Sequence, residues 1–411
     1  MPNSINSGDT AWLLASAALV LLMTPGLAFF YGGLVARKNV LSTVMYSFIT
    51  IAIISVQWVL LGYTLAFGPD KYHLIGGLEW FGLRNVTGDP NPDYGATVPH
   101  QAFMIFQAMF AIITPALISG AFVERMKFKT FLVFTVVWAT IVYDPLAHWV
   151  WGTGGWIRNI GALDFAGGTV VHISAGMSAL AAAIMIKPRL GYGKESKEPH
   201  NIPFIILGAG LLWLGWFGFN AGSAIGANAL ATNAFVVTNV AAAMGALAWM
   251  TMAWRFSGAP GLVGAASGAV AGLVAITPAS GFVGPMPAIL IGLGAGVFCY
   301  LVARLRSRWT RVDDALDVWA VHGVGGIWGA LATGLFATVA INSAGADGLF
   351  AGNPALLGKQ MIAVLVPCVY SFGMTFAILW VLDKLMGLRA NEEEEQVGLD
   401  QSQHGETAYA E

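Results

Sequence analysis

Two histidines, His172 and His322, are the residues of this chain best placed to do chemistry. Each lies inside an apolar run, in Val171-His172-Ile173-Ser174-Ala175-Gly176 and in Val321-His322-Gly323-Val324-Gly325-Gly326. Histidine is the side chain that exchanges protons near neutrality. An ionisable group in an apolar medium is expensive, which makes it a functional candidate. The competing role is a satisfied core histidine that ties helices together. The other five histidines, His73, His100, His148, His200 and His404, fall in or near polar segments. Aromatic stripes come second. Phe103, Phe106 and Phe110 are spaced i, i+3, i+7, as are Trp216, Phe219 and Ser223, and each set shares one helix face. Packing is the ordinary role of such a stripe, but an aromatic face with a hydroxyl can hold a small cation by cation–π attraction. Asp164, before the His172 run, has the position of a carboxylate that stabilises a helix N-terminus. Asp317 and Arg311-Val312-Asp313-Asp314 share that logic, and Glu124-Arg125 reads as an interfacial ion pair. Nothing resembles a metal-ligand cluster, a nucleophile with its base or a phosphate loop, so no enzyme, cofactor or metal is expected.

The elements that must position these groups follow from composition. Of 411 residues, 57% are hydrophobic and 10% charged, where a soluble domain carries about 25% charged residues. That excludes a soluble enzyme, a disordered chain and a nucleic-acid binder, and it fits an integral membrane protein packed through small residues, here 51 glycines. Cys299 and Cys368 lie in apolar runs, so no disulfide is indicated.

A spanning helix needs about 20 apolar residues. Uncharged runs occupy 10–36, 39–69, 94–123, 165–186, 318–345 and 360–382, with a shorter run, 130–143, ending at Asp144-Pro145. Two longer runs, 199–254 and 256–303, each hold two spans, broken between Asn220 and Asn233 and at Thr277-Pro278-Ala279-Ser280-Gly281. The expected fold is therefore all-α with eleven transmembrane helices. Five plus five plus one suggests two inverted five-helix repeats, about 10–187 and 199–338, and a last helix about 358–386. Counted along span five from Asp164 and along span ten from Asp314, both histidines lie about 12 Å deep. Among 20 Lys and Arg, only Lys71, Arg84, Arg158 and Lys359 fall in loops on the N-terminal side. This places the N-terminus outside and the C-terminus in the cytoplasm. No basic segment precedes the first apolar run, so no cleaved signal peptide is expected. The tail, 387–411, is acidic from Glu392 to Glu395, yet Val397-Gly398-Leu399-Asp400 and His404-Gly405-Glu406 are more than a solubility tag needs. The Gly152-Thr153-Gly154-Gly155 run reads as a turn.

These strings are similar to those of the ammonium transporter (Amt/Mep/Rh) family, in its bacterial and archaeal Amt branch. The matches are Pro25-Gly26 with Phe29-Phe30-Tyr31-Gly32-Gly33, Asp164-Phe165-Ala166-Gly167-Gly168-Thr169-Val170-Val171-His172, Gly215 to Ser223, Arg311-Val312-Asp313-Asp314 with Val321-His322-Gly323, and the tail from Glu395 to Glu406. The resemblance implies a homotrimer in the cell membrane with one pore per subunit. It implies an outer ammonium-recruitment site of Phe106, Phe110, Trp151 and Ser223, supported indirectly by Asp164. Phe110 and Phe219 would gate the pore, and His172, His322 and Trp216 would line it. The tail residues Gly398, Leu399, Asp400, His404, Gly405 and Glu406 would be regulatory, with a PII-type signal protein as cytoplasmic partner. Two other readings compete: an ammonium sensor acting through the tail, and a gas or urea channel, for which a Trp151/Ser223 cation site would have no use.

Overall fold

The computed structural model describes residues 4–194, 198–309 and 311–409, with the side chains of 307–309 excepted; Lys197 and Glu411 lie outside the described residues. Among the described residues, nine helices are long and apolar enough to cross a membrane: Ser7–Leu34, Arg37–Phe67, His100–Ser119, Phe128–Asn159, Gly168–Ile186, Ile202–Ala224, Ala229–Ser257, Pro285–Arg306 and Pro354–Met386. Two shorter ones complete the eleven among the described residues. They are Leu262–Ile276, and the π-helical turn Trp319–Val324 continued by Gly325–Phe336. This is the expected all-α membrane architecture. Short hairpins, Asp70–Lys71 with Ile75–Gly76 and Pro90–Asn91 with Gly95–Pro99, crown one face. The C-terminal tail covers the opposite face.

Asparagine starts four of these helices. The side chains of Asn6, Asn201, Asn228 and Asn353 accept the first free amides of spans one, six, seven and eleven. Between helices, small residues set the distance. Span one meets span six where a β-carbon at Gly208 would collide with the backbone of Phe30. Spans five and ten also cross backbone to backbone. A β-carbon at Gly176 would overlap the backbone of Gly323, one residue past His322.

Two helix bounds depart from expectation, and the tail is docked rather than a solvated end. Asp144-Pro145 does not end span four: the helix passes through a π turn, Ala139–Tyr143, and resumes at Asp144. Proline lacks an N–H and crowds the carbonyl four residues back, and the widened turn accommodates it. Asp144 itself is buried and accepts from the Gln57 amide at 2.8 Å. The tail is not free: Glu392–Val397 is helical, with a capping box from Asn391 and Glu394. Finally, the last helix begins at Pro354 rather than near 358.

Because the Gly176–Gly323 crossing admits no side chain, Gly176→Ala should force spans five and ten apart. We expect about 1–3 kcal/mol of destabilisation, the range of overpacking in a dense core. Thermal unfolding of the purified variant in detergent measures it, with Gly210→Ala, which meets open space, as the control.

Candidate functional site

Span five starts on a carboxylate. Asp164 accepts the amides of Gly167, Gly168 and Thr169 at 2.7–2.8 Å, and also the Thr169 hydroxyl. The helix-start role expected of Asp164 is thus its observed one, and its backbone carbonyl accepts the Trp151 indole N–H at 2.9 Å. Gly167 has φ +111°, which favours glycine, and the Trp151 ring lies against it.

On the hairpin face this ring helps wall a pocket of about 140 Å³, lined also by Phe67, Phe103, Gln107, Phe110, Phe165, Ser223 and Ile225. Phe110 meets the Trp151 ring edge-on, with centroids 5.9 Å apart. The Ser223 hydroxyl donates back to the Phe219 carbonyl at 2.9 Å. Phe106 does not line the pocket. It is fully buried behind Phe110, at 5.0 Å between centroids, against Gly222. Phe103, one turn earlier on the same stripe, takes the wall position. Gln107 went unnoticed in the sequence because a single amide in an apolar helix carries no spacing signal. Its side-chain oxygen is buried without a hydrogen-bond partner among the described residues.

Phe110 and Phe219 stack below the pocket, with centroids 4.2 Å apart and planes tilted 38°. Beyond Phe219 opens a second cavity of about 260 Å³, lined by Trp216, His172, His322 and apolar side chains such as Leu27, Ile113 and Val321. Trp216 is anchored by its N–H to the Thr277 hydroxyl at 2.8 Å. His172 packs against Trp216 and Phe219 at 5.4 and 5.9 Å between centroids. The Nδ1 atoms of His172 and His322 are 3.3 Å apart. Each histidine sits on a π turn, Gly168–Ile173 or Trp319–Val324, at the start of its span. His172 Nε2 has no partner among the described residues.

The family model described as Ammonium Transporter Family matches residues 11–409. The chain belongs to the ammonium transporter family. It is 54% identical to an ammonium transporter of Bacillus subtilis over 98% of both chains, and 48% identical to the ammonium transporter Amt1 of Archaeoglobus fulgidus over 98% of this chain and 100% of that one. Among solved structures, Saccharomyces cerevisiae Mep2 superposes with a TM-score of 0.91 at 35% identity, covering 99% of this chain and 92% of that one. A protein titled Sensor Amt Protein gives 0.88 at 30% identity, covering 96% and 98%.

In this family member the tail face is held by charge. Arg189 grips Asp313 with two hydrogen bonds of 2.8 Å and Glu124 with one of 2.6 Å. Burial alone would raise the Asp313 carboxyl, but hydrogen bonds from Arg189 and the charges of Arg125 and Arg189 hold it down at about 2. Glu124 therefore pairs at long range rather than with its sequence neighbour, and Arg125 donates to four backbone carbonyls. The start of span ten is capped by Asp314, which accepts the Trp319 amide at 2.7 Å. Asp317 instead pairs with Arg306 at 2.7 Å.

The tail joins this network. Asp400 accepts the amides of Leu41 and Ser42 at 2.9 and 2.7 Å, which caps span two. Leu399 is buried, and its amide donates to Asn39 Oδ1 at 2.8 Å. Gly398 has φ +108°, and a β-carbon there would meet the Lys38 carbonyl oxygen at 2.5 Å. The His404 ring abuts Phe128 at 4.8 Å between centroids. Gly405 turns the chain at φ +69°, and the amide of the exposed Glu406 reaches the Asp400 carbonyl at 3.2 Å.

Burial lowers the His404 pKa more than Asp400 and Glu406 raise it. Docking therefore favours the neutral ring. Its contribution is complete above the free value of about 6.5 and falls as pH drops below that. Limited proteolysis of 387–411 should accelerate between about pH 7.5 and about pH 5.5, and His404→Phe should flatten that dependence.

Proposed function

We propose that this protein is a transporter, not an enzyme, that recruits ammonium at the hairpin-face pocket, strips one proton and conducts ammonia past His172 and His322. The observation that carries this reading is the Phe110–Phe219 stack standing between two cavities, one aromatic with a hydroxyl and one apolar with two histidines. Trp151, Phe110 and Ser223 offer a cation two ring systems and an oxygen; Phe106 backs them. An isolated ion moved into low dielectric costs tens of kcal/mol in the Born limit, whereas a neutral polar group costs about 2–7. The apolar cavity therefore selects ammonia. Two adjacent imidazoles resist carrying two positive charges together, so the pair passes at most one proton at a time. The hairpin face is outside and the tail face cytoplasmic, in the cell membrane. Each subunit of a homotrimer carries its own pore between the two halves, 10–187 and 199–338. The tail, 387–411, with Gly398, Leu399, Asp400, His404, Gly405 and Glu406, controls conduction and forms part of the surface for a PII-type signal protein.

The likeness to a sensor protein and the firmly docked tail favour a second reading, ammonium sensing reported through the tail. Purified protein in liposomes separates the two. An ammonium gradient should produce flux in wild type and little in His172→Ala or His322→Ala, with folding intact. No flux through well-folded wild-type protein would leave sensing as the function. Trp151→Leu removes a cation–π partner worth roughly 0.5–2 kcal/mol, so half-saturation should rise by several-fold to some tens-fold. For orientation, cysteines at Ser402 and Asn91 should be labelled by an impermeant reagent from opposite sides, Asn91 from outside.

A further inference from the structure

His148 was expected near water, but its side chain is fully buried on the hairpin face, one helical turn before Trp151. Its Nδ1 lies 3.0 Å from the Ala66 carbonyl oxygen, and its Nε2 lies 2.9 Å from Asp70 Oδ1. Carbonyl and carboxylate oxygens only accept, and a neutral imidazole has one N–H to give. The second contact therefore needs an extra proton between Nε2 and Oδ1. The other oxygen of Asp70 accepts the His73 amide at 3.2 Å and faces His73 Nδ1 at 3.2 Å. That ring also reaches the Gly154 carbonyl at 2.7 Å.

This cluster touches two walls of the pocket. Ala66, held by His148, immediately precedes the wall residue Phe67. The turn after Trp151 folds directly onto the pair: a β-carbon at Gly152 would lie 2.6 Å from His148 Nδ1, and one at Gly154 2.6 Å from Asp70 Cβ. Of the other charged or titratable groups on the packed elements, Tyr143 is buried with its hydroxyl unpartnered among the described residues, Tyr72 is exposed, and several others have partners of their own. Lys71 pairs with Glu79 at 2.8 Å, within Coulomb range of Asp70. Arg158 donates to the Trp151 carbonyl and the Thr153 hydroxyl. The Tyr63 hydroxyl meets His100, the Tyr94 hydroxyl donates to the Phe67 carbonyl, Asp144 accepts from Gln57, and His172 faces His322.

We propose that Asp70 and His148 share one proton that clamps the Trp151 turn and Phe67, so that the pocket loosens when high pH on the hairpin face removes it. Asp70 and His148 are positioning residues. The consequence for transport, weaker recruitment at high external pH, rests on the recruitment reading above.

The test is hydrogen exchange of the full-length protein in nanodiscs, read over 147–158 and corrected for the intrinsic pH dependence of exchange. Loss of a charge-assisted hydrogen bond between about pH 6 and about pH 9 should lower wild-type protection by about tenfold or more. Asp70→Asn is the decisive variant. Its amide oxygen can accept from the His73 amide while its nitrogen donates to a neutral His148, so the clamp needs no extra proton. Its protection should be equal at both pH values, and Asp70→Ala should be unprotected at both. Flat protection in wild type, or an equal pH slope in Asp70→Asn, would overturn the proposal. Half-saturation of ammonium-evoked flux, expressed as ammonium-ion concentration, should rise several-fold with external pH in wild type and stay level in Asp70→Asn. If exchange behaves as expected while wild-type half-saturation ignores pH, the clamp stands and recruitment at this pocket is refuted.

Discussion

The crossing of spans five and ten sets the distance on which the candidate pore depends. Gly176 lies against Gly323 with no room for a β-carbon, so the two backbones are in direct contact. Their histidines, four residues before one glycine and one residue before the other, then come within 3.3 Å. Both lie on π turns, where an extra residue per turn redirects a side chain relative to a regular helix. The Asp164 and Asp314 carboxylates capping the two helix starts keep these irregular turns from leaving amides unsatisfied in a dry setting.

Aromatic rings divide the space above this crossing. The Phe110–Phe219 stack is supported from behind by Phe106 and from below by Trp216 and His172. Trp151 is tied by its indole N–H to the same residue, Asp164, that starts the histidine helix. The pocket wall and the histidine-lined cavity therefore share one anchor. Asp164 acts on the pocket through its backbone carbonyl and on the helix through its carboxylate.

On the tail face, ionic groups do positional work. Replacing a buried ion pair by packed apolar groups is often neutral or stabilising, so Arg189, Asp313 and Glu124 are better understood as fixing which loops meet. Together they bind the chain before span two, the loop after span three, the segment after span five and the approach to span ten. The tail docks directly on that arrangement, because Asn39 bridges Glu124 to the Leu399 amide and Asp400 caps the next helix.

Much of this was legible in the chain. Bilayer thickness turns uncharged runs into helices with little freedom, so eleven spans, the break at Thr277 and the helix start at Asp164 follow from residue order. Local signals misled wherever a distant partner decided. Asp144-Pro145 looked like a helix end until a π turn absorbed it, and Glu124-Arg125 looked like a pair until Arg189 supplied a better one. Phe106 and Phe103 share one stripe, and only tertiary contacts, with Phe106 seated against Gly222, put Phe103 at the pocket and Phe106 behind it. His148 looked solvent-facing because its sequence neighbourhood is polar on one side, yet a carbonyl and a carboxylate from span two's end enclose it. Sequence alone determined which segments enter the bilayer, since hydropathy is a sum over neighbours. Tertiary structure decided which polar atoms face each other, since hydrogen bonds act over about 3 Å between residues that are up to hundreds of positions apart.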